Sequence, residues 1–348
     1  MAGELTALSP ATVTAGSEPE GIVVSPDGKH VYAACKGANA VYQFSRNAET
    51  GNLTALGTAS ITTGASSGPI GLAISADGKH VYAALATAAK IAQFSRNAET
   101  GALTALSTAT VGAGTSAHGI IVTPDGKHVY CANYGASTVQ RYSRNESTGE
   151  LTSLGTTEAG TNPHDLACSP DGKSVYVCNG NEAGTVRQYE RNAETGALTA
   201  LSPATVEAGK FTECCVVSTD GKYVYATNEV SATVSQYERN TSTGALTALS
   251  PATVGSGAGP EGVAVSPDNA NIYTANHGAN SVSQYERPST GKLAALSPAT
   301  VAASTGTARL AVSPDGHSLY ANNRGTNTIS QFSRAAGTSP SNTLAMIV

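Results

Sequence analysis

Apolar positions along the chain come in runs of five or six residues, too short for helices and separated by turns rich in glycine and aspartate. Gly119-Ile-Ile-Val-Thr123 is one such run, and its unbroken apolar character predicts an inner strand packed on both faces. Pro124-Asp125-Gly126-Lys127 then turns the chain: proline presets φ, aspartate caps the backbone and glycine accepts a positive φ. His128–Asn133 returns as a second strand, Tyr134–Ser137 turns again, and Thr138–Arg144 forms a third. After a second tight turn at Ser147-Thr148-Gly149, the polar stretch Leu151–Leu154 reads as an outer strand.

The pattern recurs seven times. Asp27, Asp77, Asp125, Asp171, Asp220, Asp268 and Asp315 mark successive copies, at steps of 50, 48, 46, 49, 48 and 47 residues. Four short antiparallel strands per repeat, at a period near 48, define an all-β, seven-bladed β-propeller. The segment Gly3–Val13 matches the outer strand at Gly196–Val206, whereas the last repeat supplies only its first three strands, at 309–334. Residues 3–14 are therefore expected to serve as the outer strand of blade seven, closing the ring and removing an exposed edge. Residues 15–334 hold the repeats of a single domain spanning 1–348, and the tail Ala335–Val348 is expected to dock against the ring.

Composition narrows the function. No apolar run approaches the 18–20 residues of a membrane helix, so no membrane span is expected. Net charge is −5, and of 20 Lys and Arg residues seven close the third strands and five sit in the turns. The remaining eight make no basic stripe, which argues against a nucleic-acid partner. The six cysteines lack metal-binding spacing. Hairpin register sets Cys168 opposite Val175 and Cys178 opposite Asp165, so free, buried thiols are expected. Met1-Ala2-Gly3 runs straight into strand-like sequence, consistent with a cytoplasmic protein or with a secreted or periplasmic one whose leader has been removed. A monomer is expected.

The copies disagree at two places that border one mouth of the central channel. Seven residues before each turn aspartate stand Glu20, Ile70, His118, His164, Glu213, Glu261 and Ala308. One residue later six blades carry Gly, Asp or Cys, and blade seven carries Arg309. Nine residues after the aspartate stand Lys36, Ala86, Tyr134, Gly180, Glu229, His277 and Arg324. Only seven histidines exist; His30, His80, His128 and His317 belong to the opposite face, and the other three all fall on this mouth. His118, His164, Glu213 and Glu261 are candidate proton-transfer groups. Glu20, Lys36, Tyr134, Glu229, His277, Arg309 and Arg324 are candidate ligand contacts, the cations suited to an anion or a developing oxyanion. Glu20, Glu213 and Glu261 ringing a Ca²⁺ is an alternative use of the acids. No nucleophile elbow, zinc-protease motif or phosphate loop is present.

Ala117-His118-Gly119-Ile-Ile-Val-Thr-Pro-Asp-Gly-Lys-His-Val-Tyr130 and Ala193-Glu-Thr-Gly-Ala-Leu-Thr199 resemble the repeat of the lactonase family of seven-bladed propellers and the broader Tyr-Val-Thr-Asn propeller group. The resemblance spans nearly the whole chain. It implies a metal-independent lactone hydrolase with no cofactor, with His118, His164, Arg309, Glu213 and Glu261 at matching channel positions. The Asp-Leu-Gly turn frequent in enzymes of the family is replaced here by Asn133-Tyr134-Gly135 and Asn276-His277-Gly278. Two readings stay open. One is a lactonase-like protein binding a small anionic or polyhydroxylated ligand in the channel mouth; the other is a non-catalytic, extracytoplasmic binding or structural repeat protein, or an engineered scaffold.

Overall fold

The computed structural model describes residues 2–335; the docking expected of the tail beyond Ala335 lies outside the described residues. Seven four-stranded antiparallel sheets form a ring, each in simple meander order. In blade three the strands run Ala117–Val122, His128–Asn133, Thr138–Arg144 and Leu151–Glu158. Blade seven combines Thr307–Val312, Ser318–Asn323 and Thr328–Arg334 with the N-terminal strand Leu5–Thr14. Leu5 pairs with Arg334 and Thr14 with Thr328, and Gly3 N–H and Ala335 N–H extend the ladder past its end. No helix among the described residues is long and apolar enough to cross a membrane.

Burial corrects one expectation. The inner strand is not the one covered on both faces. Every residue of the second strand is buried in all seven blades, as in His128–Asn133. The second strand lies in mid-sheet, between the sheets on either side, whereas the inner strand turns an edge to the channel and leaves Ile121 and Val122 partly open. Seven apolar clusters fill the spaces between blades; one joins Ala73, Tyr82 and Ile91 of blade two to Ile120, Val129 and Tyr142 of blade three.

The turn aspartates do more than cap. Asp27 Oδ1 accepts from Ser25 Oγ and from Lys29 N–H, the expected local role. The carboxylate also reaches the next blade, where Arg96 Nη2 donates to it at 2.7 Å. Arg96 is otherwise spent on Tyr32 Oη (3.0 Å), the Gly78 carbonyl (3.1 Å) and His30 Nδ1 (2.7 Å), and Tyr32 Oη donates to the Gly101 carbonyl. The guanidinium is buried, with 1% of its side chain exposed. The same clasp, with Ser or Asn replacing His in some copies, ties Arg46, Arg144, Arg191, Arg239 and Arg334 to the preceding blade. Gly78 and its equivalents stand at a φ near +70°, which leaves the carbonyl free to meet the arginine.

Blade six breaks the pattern. Asn269 replaces the turn glycine and Tyr223 stands where other blades have His, Ser or Asn. Arg287 keeps Asp220 (2.9 Å), but its Nε turns to the Asn269 carbonyl, its Nη1 is buried without a partner among the described residues, and its guanidinium lies over the Tyr223 ring.

The clasps can be tested in two ways. Arg96→Met removes at once the donor to the Asp27 carboxylate, the Tyr32 phenol oxygen and the Gly78 carbonyl, and should lower unfolding free energy by about 3 kcal/mol; Arg287→Met, acting on a clasp already incomplete, should cost clearly less in the same urea titration. Equal losses would mean that the clasp does not carry the seam. Burial alone would raise the Asp27 and Asp77 carboxyls, but their serine, backbone and arginine donors bring both down to about 2. With folded values below the ordinary 3.8, these carboxylates stabilise the ring at neutral pH, and that stability should drain away as pH falls from about 4 toward 2. A midpoint in urea that stays flat over this window would refute the assignment.

Candidate functional site

Each inner strand begins at one rim of the channel and carries a ladder irregularity directly after its first residues, between Ala117 and Ile120 in blade three and at the same place in the other six. A bulge re-aims side chains. Here it releases the variable pair, such as His164-Asp165 or Ala308-Arg309, from strict alternation at the mouth. The loop after the second strand begins on the same rim, held in five blades by its asparagine; Asn133 Nδ2, for example, donates to Thr138 Oγ1 and Asn133 Oδ1 accepts from Gly114 N–H.

Blades three, four, five and seven converge. His164 Nε2 meets Glu213 Oε2 at 2.9 Å, and Arg309 Nη2 donates to His164 Nδ1 at 3.1 Å. An acceptor at Nδ1 assigns the ring proton to Nε2, so His164 is fixed as a donor toward Glu213. Arg309 Nη1 spans the channel to Asp165 Oδ2 (3.2 Å) and also donates to the Glu261 carbonyl (2.9 Å). Cys214 Sγ donates to the same Asp165 oxygen at 3.0 Å. Burial, then the Asp165 charge, raises the Cys214 thiol well above its ordinary value, so it is a hydrogen-bond donor rather than a nucleophile.

An aromatic wall stands beside this cluster. His118 stacks on Tyr134 with ring centres 5.0 Å apart, and His164 presents its edge to both. His118 Nε2 lies 3.2 Å from Ser116 Oγ, and its Nδ1 is buried with no partner among the described residues. Burial, reinforced by His164 and Arg309, lowers the His118 pKa to about 3, so this ring is neutral at physiological pH. Glu213 is lowered: burial opposes its charge, but His164 and Arg309 outweigh it.

Blades six, seven and one form the other half. Arg324 Nε donates to Glu20 Oε2 at 2.7 Å, while both terminal nitrogens grip the Glu261 carboxylate. His277 Nδ1 lies 3.6 Å from Glu261 Oε1. Burial raises Glu261 despite Arg324 and His277. Glu20, Lys36, His277 and Arg324 line a cavity of about 500 Å³ at this edge of the rim.

The residues singled out in the sequence thus share one rim, joined through Arg309 and Arg324. Their roles are unequal. Both arginines are neutralised by protein carboxylates, so neither is a free anion receptor. Lys36 has no acid partner among the described residues. The Glu229 carboxylate likewise accepts no hydrogen bond from them; the residue is half-buried, and its proton affinity is raised by burial and then by Glu213. Sequence reasoning misses Asp165 and Cys214, which stand at the position filled by Gly, Asp or Cys. A signal for them exists: that position is glycine in blades one, two, three and six and differs only in Asp165, Cys214 and Arg309, the three residues that find one another. No group of three or more His, Cys, Asp or Glu among the described residues is placed to hold a metal, which leaves the calcium alternative without a ligand set.

Solved structures share the fold at low identity. A 6-phosphogluconolactonase candidate from Bacteroides fragilis is 21% identical, with 94% of this chain and 92% of that one aligned at a TM-score of 0.73. The periplasmic gluconolactonase of Pseudomonas aeruginosa is 17% identical, with coverage of 93% and 91% and a TM-score of 0.74. Hydrazine synthase of Kuenenia stuttgartiensis, 18% identical with coverage of 93% and 98%, reaches 0.71, so this likeness carries the fold and not a chemistry. No curated protein matches the chain. The family model described as lactonase, 7-bladed beta-propeller matches residues 3–118, 107–217 and 205–297, and the chain belongs to that family.

Proposed function

We propose that the mouth binds a neutral, hydroxylated lactone and hydrolyses it, with Glu229 as the general base. The observation that carries this reading is Glu229 itself: a carboxylate of raised proton affinity, unengaged and close to Glu213, His164 and Arg324, which are locked in bonds to one another or to their neighbours. His164 has both nitrogens occupied, Glu213 is held as its acceptor, and Glu261 is clamped by Arg324. A base works best when its pKa lies toward the working pH and its lone pairs are available. Of the acids on this rim, Glu229 meets both conditions.

Charge favours a neutral ligand over an anionic one. Glu20, Asp165, Glu213, Glu229 and Glu261 face only Lys36, Arg309 and Arg324, and both arginines are spent. A ring of carboxylates suits hydroxyl donors, and the stacked face of Tyr134 and His118 suits the C–H face of a saturated ring. In the reaction Glu229 takes a proton from water as its oxygen bonds to the lactone carbonyl carbon. Collapse of the tetrahedral intermediate breaks the ring C–O bond, and Glu229 returns the proton to the departing alkoxide. Lys36 and the Tyr134 phenol, the donors left free of protein acceptors among the described residues, are assigned to the developing oxyanion. The family membership and the gluconolactonase among the structural neighbours support the reaction class.

The test is a lactone panel in which neutral sugar lactones and their phosphorylated counterparts are compared at equal concentration. Neutral substrates should be preferred, and Glu229→Gln should reduce kcat by about 10²–10⁴-fold; wild-type rates in Glu229→Gln would remove the base from the mechanism.

The pH profile supplies a second check. Because the Glu229 carboxyl is raised from 4.5, the acid limb of kcat/KM should have its midpoint above that value. The charge of Glu213 is one of the two causes of the rise, so Glu213→Gln, which still accepts from His164, should move the midpoint downward. An upward or absent movement would contradict the assignment.

A further inference from the structure

We infer that the lactone taken by this mouth carries an aliphatic chain, which runs down the bore beneath the polar layer. The inference rests on the lactone reading of the mouth and adds the class of substituent. Directly at the level of the Arg309–Asp165 crossbar lies a cavity of about 210 Å³, bounded by inner strands of all seven blades. Its polar side is Asp165, Cys214 and Arg309, from blades four, five and seven. On the opposite side, blades one to three bring Gly21, Gly71 and Gly119 to that level, so backbone and the aliphatic Ile22, Ile70 and Ile120 bound the passage. A Cβ on Gly21 or Gly71 would fall within 2.3 Å of a neighbouring carbonyl, so the three strands are packed together there with no side chain projecting from these positions.

Below the crossbar the side chains that line the bore are mostly apolar. Ile121 and Leu166 line both this cavity and a second one of about 360 Å³, which continues toward the far face. Six of the seven inner strands end on two aliphatic residues and the seventh on Ala167-Cys168. No charged side chain among the described residues lines the second cavity. The inner strands also turn the backbone N–H and C=O groups of their free edges toward the bore, but the aliphatic side chains between them gain by contact with hydrocarbon. Charged side chains crowd the rim and are absent from the cavity below the crossbar, so the complementary ligand is amphipathic: ring and hydroxyls above, alkyl chain below.

The experiment compares δ-lactones of one ring bearing methyl, propyl, butyl or hexyl chains. Each buried methylene should raise kcat/KM roughly 3- to 4-fold until the chain outgrows the bore. Ile121→Trp narrows the passage at the junction of the two cavities and should collapse the ratio of hexyl- to methyl-lactone kcat/KM. In calorimetric titration of the unaltered protein a hexyl-substituted δ-lactam, which is not hydrolysed, should bind more tightly than its methyl counterpart, and Ile121→Trp should abolish that difference. If Ile121→Trp fails to fold, the wild-type chain-length series decides alone. Turnover that is flat across chain length would overturn the inference and leave the lactone reading intact. If no lactone turned over, the reading of the mouth would fall, while binding of the hexyl lactam but not of the methyl lactam to the unaltered protein would still support the apolar bore; binding of neither would sink both.

Discussion

A buried guanidinium that can be satisfied only by the neighbouring blade is the constraint on which this ring depends. Arg96 has no route to full hydrogen bonding within its own sheet: its own turn offers the Gly78 carbonyl, and the rest comes from Tyr32, Asp27 and His30 across the seam. An unpaired buried cation is far costlier than an ordinary unmade contact. Each blade therefore fixes the orientation of its neighbour, and repetition around the circle fixes the bore. A second set of ties acts at the periphery, where Gln43 accepts from Leu103 N–H and its equivalents do the same between other blades.

With the far face committed to clasps, the opposite rim is released from structural duty. Apolar contacts and second-strand burial are complete below the mouth, and the loop asparagines hold the backbone there whichever residue comes next. Side chains at the rim can then differ from blade to blade without a stacking penalty. The result is an asymmetric mouth on a symmetric frame, with an aromatic half around Tyr134 and His118 and an ion-paired half around Arg324.

Much of this was legible in the amino-acid order because each repeat carries its own turn chemistry and strand lengths, and because Gly3–Val13 advertises its kinship with the outer strands. The shared rim followed from strand direction alone. What periodicity could not reveal was which strand is buried most: a run such as Gly-Ile-Ile-Val-Thr reads as fully packed, yet its Ile121 and Val122 are partly open to the bore, and only closure of the ring shows this. Nor could spacing show that Arg309 reaches from blade seven to blade four, since long side chains spanning a channel leave no trace in sequence separation. The turn aspartates illustrate the same limit. Their local cap is written within three residues, whereas their bond to the next arginine joins positions such as Asp27 and Arg96.

The closing strand has a consequence for biosynthesis. Leu5–Thr14 leaves the ribosome before any other element of the fold, yet its partner Thr328–Arg334 comes after every other described strand. Throughout translation of the intervening blades this first strand exposes an unpaired edge, and the nascent chain holds an open arc rather than a circle. Of its ten residues only Leu5 is buried once the ring closes, so the waiting segment carries little of the apolar surface that the fold must cover.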